Sequence, residues 1–558
     1  MSDDSRHSPD ARALERLDPK LATVPISAPD NALIAARLDE FAALLELAGA
    51  SYYSVRAYGR AAELVRAAPV PVAQLVRDGR VRELRGVGAT IEARLRELTE
   101  TGDIAEMVEL RRTKPLALAA LGKLLGLGAK RATEIGATLG ITTVAEFRTA
   151  AEHGRLRTVP GIGPKTEAKI LAALTHERGA VPRLLLPRAR ELTEGVAAAL
   201  GGIAAGDARR WLDTPVRLAV VVASGDPAGV RERFAALPEI VALLDPDTGI
   251  TPEGALCELV VAQPAALGTA LVRATGPGDH VAALGKLPEA PDEEGFYAAL
   301  GLGWPPPEIR DAHPEREPPV LVETTDIRGD LHAHTTWSDG KASVLEMGAA
   351  ARDRGYEYLA ICDHTPQVTV VPGLDADALR RQGEEIAAAN AELAPFRILR
   401  GVECDIRPDG TLDVPDDLLD ELEWVQLSLH QGQRAPRAEL TARVIEAMRH
   451  PAVRCLSHPT GRLIGHRPEN ALDLERTIEA ALETRVALEV NGLANRLDLS
   501  GDHVRTVIAA GVRVVCSTDA HSVRGLANME YAVHTARRGR ARARAVLNTS
   551  PLAGVLAK

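Results

Sequence analysis

IRGDLHAH (residues 327–334), YLAICDH (358–364), ILRGVECD (398–405), WVQLSLH (424–430), VRCLSH (453–458) and VRVVCSTDAH (512–521) are six apolar runs, each finishing in His, Asp or Glu. Helical patterns separate them, the alternation that parallel βα units produce. In a βα barrel the carboxyl ends of the strands share one face, so residues remote in sequence converge there. The region from about Asp326 onward thus reads as an α/β barrel with one polar mouth.

Its candidate metal ligands are His332, His334, Asp339, His364, Glu403, His430, His458, Asp519 and His521. Residues two apart on a strand share a face, which sends His332 with His334, and Asp519 with His521, into one cavity. Imidazole and carboxylate donors without thiolate suit Zn, Mn or Fe. A lone histidine at a strand end is more often held by ordinary hydrogen bonds, but so many donors at successive strand ends are not explained that way. The set exceeds the needs of one ion and fits two or three divalent metals. Neighbouring ions can clamp a phosphate and generate hydroxide near neutral pH, so phosphoester hydrolysis is the expected reaction class.

The 558 residues suffice for three or four domains, and 46% hydrophobic content supports real cores. No apolar run reaches the roughly 18 residues of a membrane span, and the start is polar, so a cytoplasmic protein with no membrane partner is expected. The five cysteines are scattered without a CxxC pair and read as small buried hydrophobes. Charge divides unevenly. Residues 31–178 hold 22 Lys and Arg against 17 Asp and Glu, a balance of +5, which leaves −16 for the rest of a chain with net charge −11. A mildly basic front joined to an acidic, metal-collecting back fits that split.

Residues 1–28 lack periodicity and read as a disordered tail. Helical patterns fill the stretch to about Leu174, and one short pattern recurs: LRGVGATIEARL (84–95), LLGLGAKRATEI (124–135) and VPGIGPKTEAKIL (159–171). Gly86 and Gly88, Gly126 and Gly128, and Gly161 and Gly163 each permit a tight turn before a helix whose first N–H groups point outward, where a phosphate can sit. This is the helix-hairpin-helix device for holding a DNA backbone without reading its sequence. Lys130, Arg131, Lys165 and Lys169 follow two of the turns and can neutralise phosphates; the alternative is a solvated helix face. Beyond residue 181 the pattern is mixed, with one clear strand in VRLAVVVAS (216–224), and the Pro-rich stretch from Trp304 reads as a linker.

GDLHAHTTWSDG, ICDHT, HPTGRL and STDAHS closely resemble the PHP (polymerase and histidinol phosphatase) domain, and the helical front resembles the 8-kDa and fingers regions of family X DNA polymerases. Together they resemble bacterial family X polymerases (PolX) with a C-terminal PHP domain. The resemblance implies a multidomain chain. An all-α helix-hairpin-helix front would divide into an 8-kDa-like domain (29–105) and a fingers-like region (106–180). An α+β nucleotidyltransferase-like palm and thumb (181–303), the linker (304–325) and a PHP barrel (326–558) would follow. It also implies that His332, His334, Glu403 and Asp519 hold one metal, that Glu403 bridges to a second held by His430 and His458, and that Asp339, His364 and His521 hold a third. Glu403, Asp519 and Arg462 are the implied catalytic set. Arg462 and Arg496 are candidates for phosphate contact, with a structural salt bridge the equal alternative.

Two departures stand out. Family X palms begin with Gly-Ser and carry Asp-x-Asp on the next strand, whereas the matching places here hold Gly206 with Asp207, and Arg217 with Ala219; Glu258 matches the third carboxylate. A cation and a methyl group cannot hold the two metals of nucleotidyl transfer. Arg94 stands where lyase-active relatives use a Schiff-base lysine, and arginine cannot be that nucleophile. The expectation is a DNA-binding, metal-dependent 3′-5′ exonuclease or 3′-end-processing enzyme of DNA repair with an inactive polymerase core. It would act, as a monomer, on gapped, nicked or single-stranded ends. An active repair polymerase and a small-molecule phosphatase are the rivals.

Overall fold

Ile34, Leu38, Phe41 and Leu45 lie three or four residues apart, so one face of the helix Asn31–Leu47 is apolar and buried. Phe41 meets Tyr58 of the helix Tyr52–Arg66 edge to face, with ring centroids 4.8 Å apart. The computed structural model describes residues 31–558 apart from 67, 69–71, 85, 114–115, 175–183, 312, 369–370 and 558; the expected tail 1–28 and the boundary at 180/181 lie outside them. Two compact units result: Met1–Ala119 with Ala129–Thr143, and Ala120–Gly128 with Val144–Lys558.

In the first unit, the helix Ala89–Thr101 buries Ile91, Leu95 and Leu98 and stops at Gly102, whose φ of 84° is the left-handed conformation that ends helices. Arg94, at the lyase position, is paired with Glu97 at 2.8 Å and with Glu106, and lies over the Phe41 ring. The first glycine of each repeated turn has a left-handed φ: 109° at Gly86, 66° at Gly126 and 81° at Gly161. Helices then begin at Ala89, Ala129 and Pro164.

In the second unit a five-stranded sheet has the order β1 (Ile203–Ala205), β2 (Leu218–Ala223), β5 (Leu256–Ala262), β4 (Thr248–Ile250), β3 (Ala242–Asp245), and only β2 with β5 is parallel. The sequence reading found a single strand here; the other four are three to seven residues long and weakly patterned. Alternate residues of β2 face opposite sides. Leu218, Val220 and Val222 pack on Leu192 and Val196 of the helix Leu186–Leu200. Ala219 and Val221 pack under Leu271 and Ala274 of the helix Leu267–Thr275.

The barrel runs in sequence order through seven strands: β6 (Gly329–Ala333), β7 (Tyr358–Ile361), β8 (Arg397–Asp405), β9 (Trp424–Ser428), β10 (Val453–Leu456), β11 (Ala487–Asn491) and β12 (Val514–Ser517). All pairings are parallel. Ala333 bridges to Ala520, and the His334 N–H donates to the Ala520 carbonyl at 2.8 Å, which brings the two edges together. The seventh strand, β11, escaped the sequence reading because it ends in Asn491 rather than a His or a carboxylate.

The Pro-rich stretch from Trp304 is pinned along its length. Glu293 receives Arg209 and the fully buried Arg310, and Glu308 receives His534 and Arg537, each at 2.6 Å. Asp213 of the middle region pairs with both Arg462 (2.7 Å) and Arg538 (3.0 Å) of the barrel region, and Trp211 stacks on His534 at 3.7 Å. Burial alone would raise the Glu308 carboxyl, but His534 and Arg537 outweigh it and hold it at about 2. A carboxylate shifted downward stabilises the fold fully above its unfolded value of about 4.5 and loses that contribution as pH falls toward 2. Glu308→Gln should therefore cost on the order of 3 kcal/mol at pH 7, and the gap from the parent should close between about pH 4.5 and pH 2. Urea denaturation of both proteins across that range measures it, and a gap independent of pH would contradict the assignment.

Candidate metal centre

The strand ends bring all nine expected donors to one face of the barrel. Glu403, at the end of β8, is 1% exposed and lies among five histidines. Its Oε2 is 2.9 Å from His364 Nδ1 and 3.7 Å from the Nε2 atoms of His332 and His334. Its Oε1 is 2.9 Å from His458 Nε2 and 3.6 Å from His430 Nε2. Asp519 Oδ1 is 3.2 Å from His334 Nε2 and 3.8 Å from His332 Nε2. At the outer side, Asp339 lies 3.1 Å from His521 and 3.6 Å from His364. Donors sharing a tetrahedral ion sit about 3.4 Å apart, given bonds of about 2.1 Å, and these separations bracket that value.

Eight of the nine donors fall into three overlapping groups: His332, His334 and Asp519; His364, Glu403 and His430; and His334, Asp339, His364 and His521; His458 stands beside Glu403 outside them. His334 and His364 each belong to two of them, so the grouping is more entangled than the sequence suggested. The third group is the most open, with the side chains of Asp339 and His521 26% and 32% exposed, while His332 and His334 are fully buried. Two ligand positions sit on left-handed backbone, φ 23° at His458 and 52° at Asp519; strain of this kind persists where a fold holds a working geometry.

A test of fit comes from polar atoms left over. Nδ1 of His334 is buried with no hydrogen-bond partner among the described residues, and the Nε2 atoms of His332 and His334 face each other at 3.1 Å. Stranded ring nitrogens are costly in a dry interior and are relieved by a cation. Burial first, and then the neighbouring imidazoles, push His334 down to about 4 against the pull of Asp519, so it stays neutral, as a metal ligand must. Burial alone would raise Glu403, yet His430, His364 and His332 hold it well below the carboxylate range.

The sequence reading missed the layer that aims these ligands. Glu489, a carboxylate inside the apolar run VALEV of β11, is fully buried and faces His332 Nδ1 at 2.6 Å. It also accepts from Ser517 Oγ and from the His458 N–H, both at 2.6 Å. Asp405 does the same for His430, at 3.1 Å from Nδ1. Asp363 accepts from Thr335 N and Oγ1 and from Gln382, tying down the loop between His334 and Asp339. Such partners fix which ring nitrogen faces the ion. A charged residue within an otherwise apolar strand was the available signal for Glu489.

The two arginines part company. Arg462 gives its guanidinium to Asp213 and to the carbonyls of Arg496 and Leu497. It is a structural tie, which corrects its expected place in the catalytic set. Arg496 instead lies 3.9 Å from Asp519 Oδ2, beside the centre. In the middle sheet Ala219 stands in register with Glu258, and Arg217 closes on Glu258 at 3.1 Å. Among the described residues, no helix is long and apolar enough to cross a membrane.

A model described as a helix-hairpin-helix domain matches residues 29–104, and one described as a SAM-like helix-hairpin-helix tandem matches 118–175. The chain is 27% identical to a probable phosphatase of Photobacterium profundum over 36% of its own length and 81% of that protein. It is 28% identical to one of Syntrophotalea carbinolica over 38% and 88%. It is also 34% identical to the DNA polymerase/3′-5′ exonuclease PolX of Bacillus subtilis strain 168, across 93% of this chain and 97% of that one. Likeness at that level along nearly the whole of both chains, over the same order of helical front, mixed sheet and barrel, means that the chain belongs to the bacterial PolX family of family X DNA polymerases.

Proposed function

We propose that this protein is a DNA-binding, metal-dependent phosphoesterase that trims DNA from the 3′ end, a 3′-5′ exonuclease of DNA repair whose polymerase core no longer extends primers. It would act in the cytoplasm, as a monomer, on gapped, nicked or single-stranded ends. The gathering of the nine donors at one face of the barrel, five of them histidines around Glu403 and one, His334, with a buried Nδ1 left unpartnered, carries the reading. His332, His334 and Asp519 with Glu403 would hold one ion, Glu403 with His430 and His458 a second, and Asp339, His364 and His521 a third, each Zn, Mn or Fe. When bound, such ions supply Lewis acidity and a nucleophile at neutral pH. The residues' own part is to fix the spacing of those positions through Glu403, to keep His332 aimed through Glu489, and to offer Arg496 to a phosphate oxygen. A small-molecule phosphatase, the alternative that the two relatives named as probable phosphatases bring to mind, would leave the helix-hairpin-helix front without a role.

Glu403→Gln keeps the volume and removes the charge that faces five histidines. DNA hydrolysis should fall at least about hundredfold while DNA affinity stays within about twofold. Product lengths on labelled DNA and equilibrium binding measure the two separately, and near-parental hydrolysis would rule out the shared carboxylate.

In the front regions, the turns at Gly86 and Gly88, Gly126 and Gly128, and Gly161 and Gly163 are read as grips on DNA phosphates through backbone N–H groups, with Lys130 and Lys165 nearby. Arg131 is also paired with Glu134, at 3.2 Å. A side chain added at Gly163 would meet nothing within 4 Å, and its φ is not left-handed, so Gly163→Leu should fold. It should weaken binding by about tenfold, equally on unrelated sequences. Fluorescence anisotropy with several duplexes tests this; loss confined to one sequence would mean base contact.

For the palm, the supporting geometry is Arg217 neutralising Glu258 and Ala219 buried under the helix Leu267–Thr275. Glu403→Gln, freed of degradation, should add no nucleotide to a primer with Mg or Mn and all four triphosphates. Template-directed extension would overturn the loss of polymerase function.

A further inference from the structure

Three consecutive loops leave the carboxyl ends of β9, β10 and β11 beside the metal centre, and each carries an arginine: Arg434, Arg467 and Arg496. The loops are fastened to one another. Arg467 Nε donates to the Gly461 carbonyl at 2.8 Å, and Arg467 and Leu463 exchange backbone hydrogen bonds at 2.8 and 2.9 Å across a tight turn. A side chain at Gly461 would stand 3.3 Å from Gln433, the neighbour of Arg434. The Ile464 N–H donates at 2.8 Å to the carbonyl of Asn495, the neighbour of Arg496. The arc begins at the ligands, where Arg496 approaches Asp519 at 3.9 Å, and Arg434 is exposed at its far end.

Counter-charge is sparse along the outer part of this arc. Among the described residues no carboxylate lies within ion-pair distance of Arg434 or Arg467, although Arg462, in the same loop as Arg467, pairs with Asp213 at 2.7 Å. Partial burial, together with the positive charge of Arg496 and Arg434, lowers the affinity of Arg467 for its proton. Arg434 and Arg467 lack such a partner, and an anion with several charges entering the region would offset the repulsion among the three cations. A phosphomonoester occupies one phosphate position, whereas a nucleic-acid strand offers phosphates in series.

We propose that Arg467 and Arg434 bind the phosphates next to the one being cleaved, so that the site takes a polynucleotide strand rather than a phosphomonoester. This rests on the hydrolase reading above and adds the path by which the strand leaves the centre. Fork-shaped guanidinium groups suit that task because they grip phosphate oxygens in pairs.

The test compares a dinucleotide with a twelve-nucleotide single strand, using the full chain loaded with Mn. For the parent, kcat/KM should rise with length. In Arg434→Ala the gain should shrink about tenfold through KM rather than kcat, the worth of one charge-assisted hydrogen bond. Arg434→Lys should restore most of it. The salt dependence of binding to the long strand should flatten by about 0.7 in log–log slope for each arginine removed. An unchanged length dependence in both Arg434→Ala and Arg467→Ala would overturn the inference. A parent that cleaves no phosphodiester of any length would defeat the hydrolase reading instead.

Discussion

A single buried carboxylate organises this chain. Glu403 stands within 4 Å of five imidazoles supplied by four different strands or the loops behind them. The barrel must therefore close correctly for that contact to exist, and the negative charge must persist for the imidazoles to be tolerated so close together. Isolated in an apolar interior, an anion or a cluster of cations would be expelled. Placed together with room for ions, they satisfy one another. Glu489, Asp405 and Asp363 extend the same logic outward, each taking the far side of a ligand or its loop so that the near side is free.

The other regions differ from the barrel in how firmly their chemistry binds them to a role. The repeated glycine turns need a left-handed backbone at one residue, or at two in the turn of Gly126 and Gly128, and an exposed helix start, a light demand on the surrounding sequence. The palm is the opposite case. In the middle sheet Arg217 pairs with Glu258, and Ala219, in register with Glu258, packs under Leu271 and Ala274. Shape there is maintained by apolar burial, which does not depend on the identity of the residues at the centre.

Much of this was legible in the sequence because parallel βα units put their functional residues at strand ends. Six terminal His, Asp or Glu residues following apolar runs located the barrel, its face and all nine donors. The seventh strand was not legible, because β11 ends in Asn491 and its important residue lies mid-strand, where a carboxylate cannot be told from an exposed edge charge until the partner strands are known. Arg462 misled for a related reason. Its place after His458 puts it near the centre, but the atoms that capture it belong to residues 213, 496 and 497, and no local pattern reports them. The short strands of the middle sheet escaped because three or four residues carry too little periodicity to register.

Asp213 gives the middle region a hold on the barrel that is independent of catalysis. One carboxylate of the palm answers two barrel arginines, Arg462 and Arg538, whose side chains are 13% and 15% exposed. That pairing makes no use of Arg217, Ala219 or Glu258. Removal of the middle region would take from both arginines the carboxylate they share. A structural hold of this kind is indifferent to whatever chemistry the middle sheet performs.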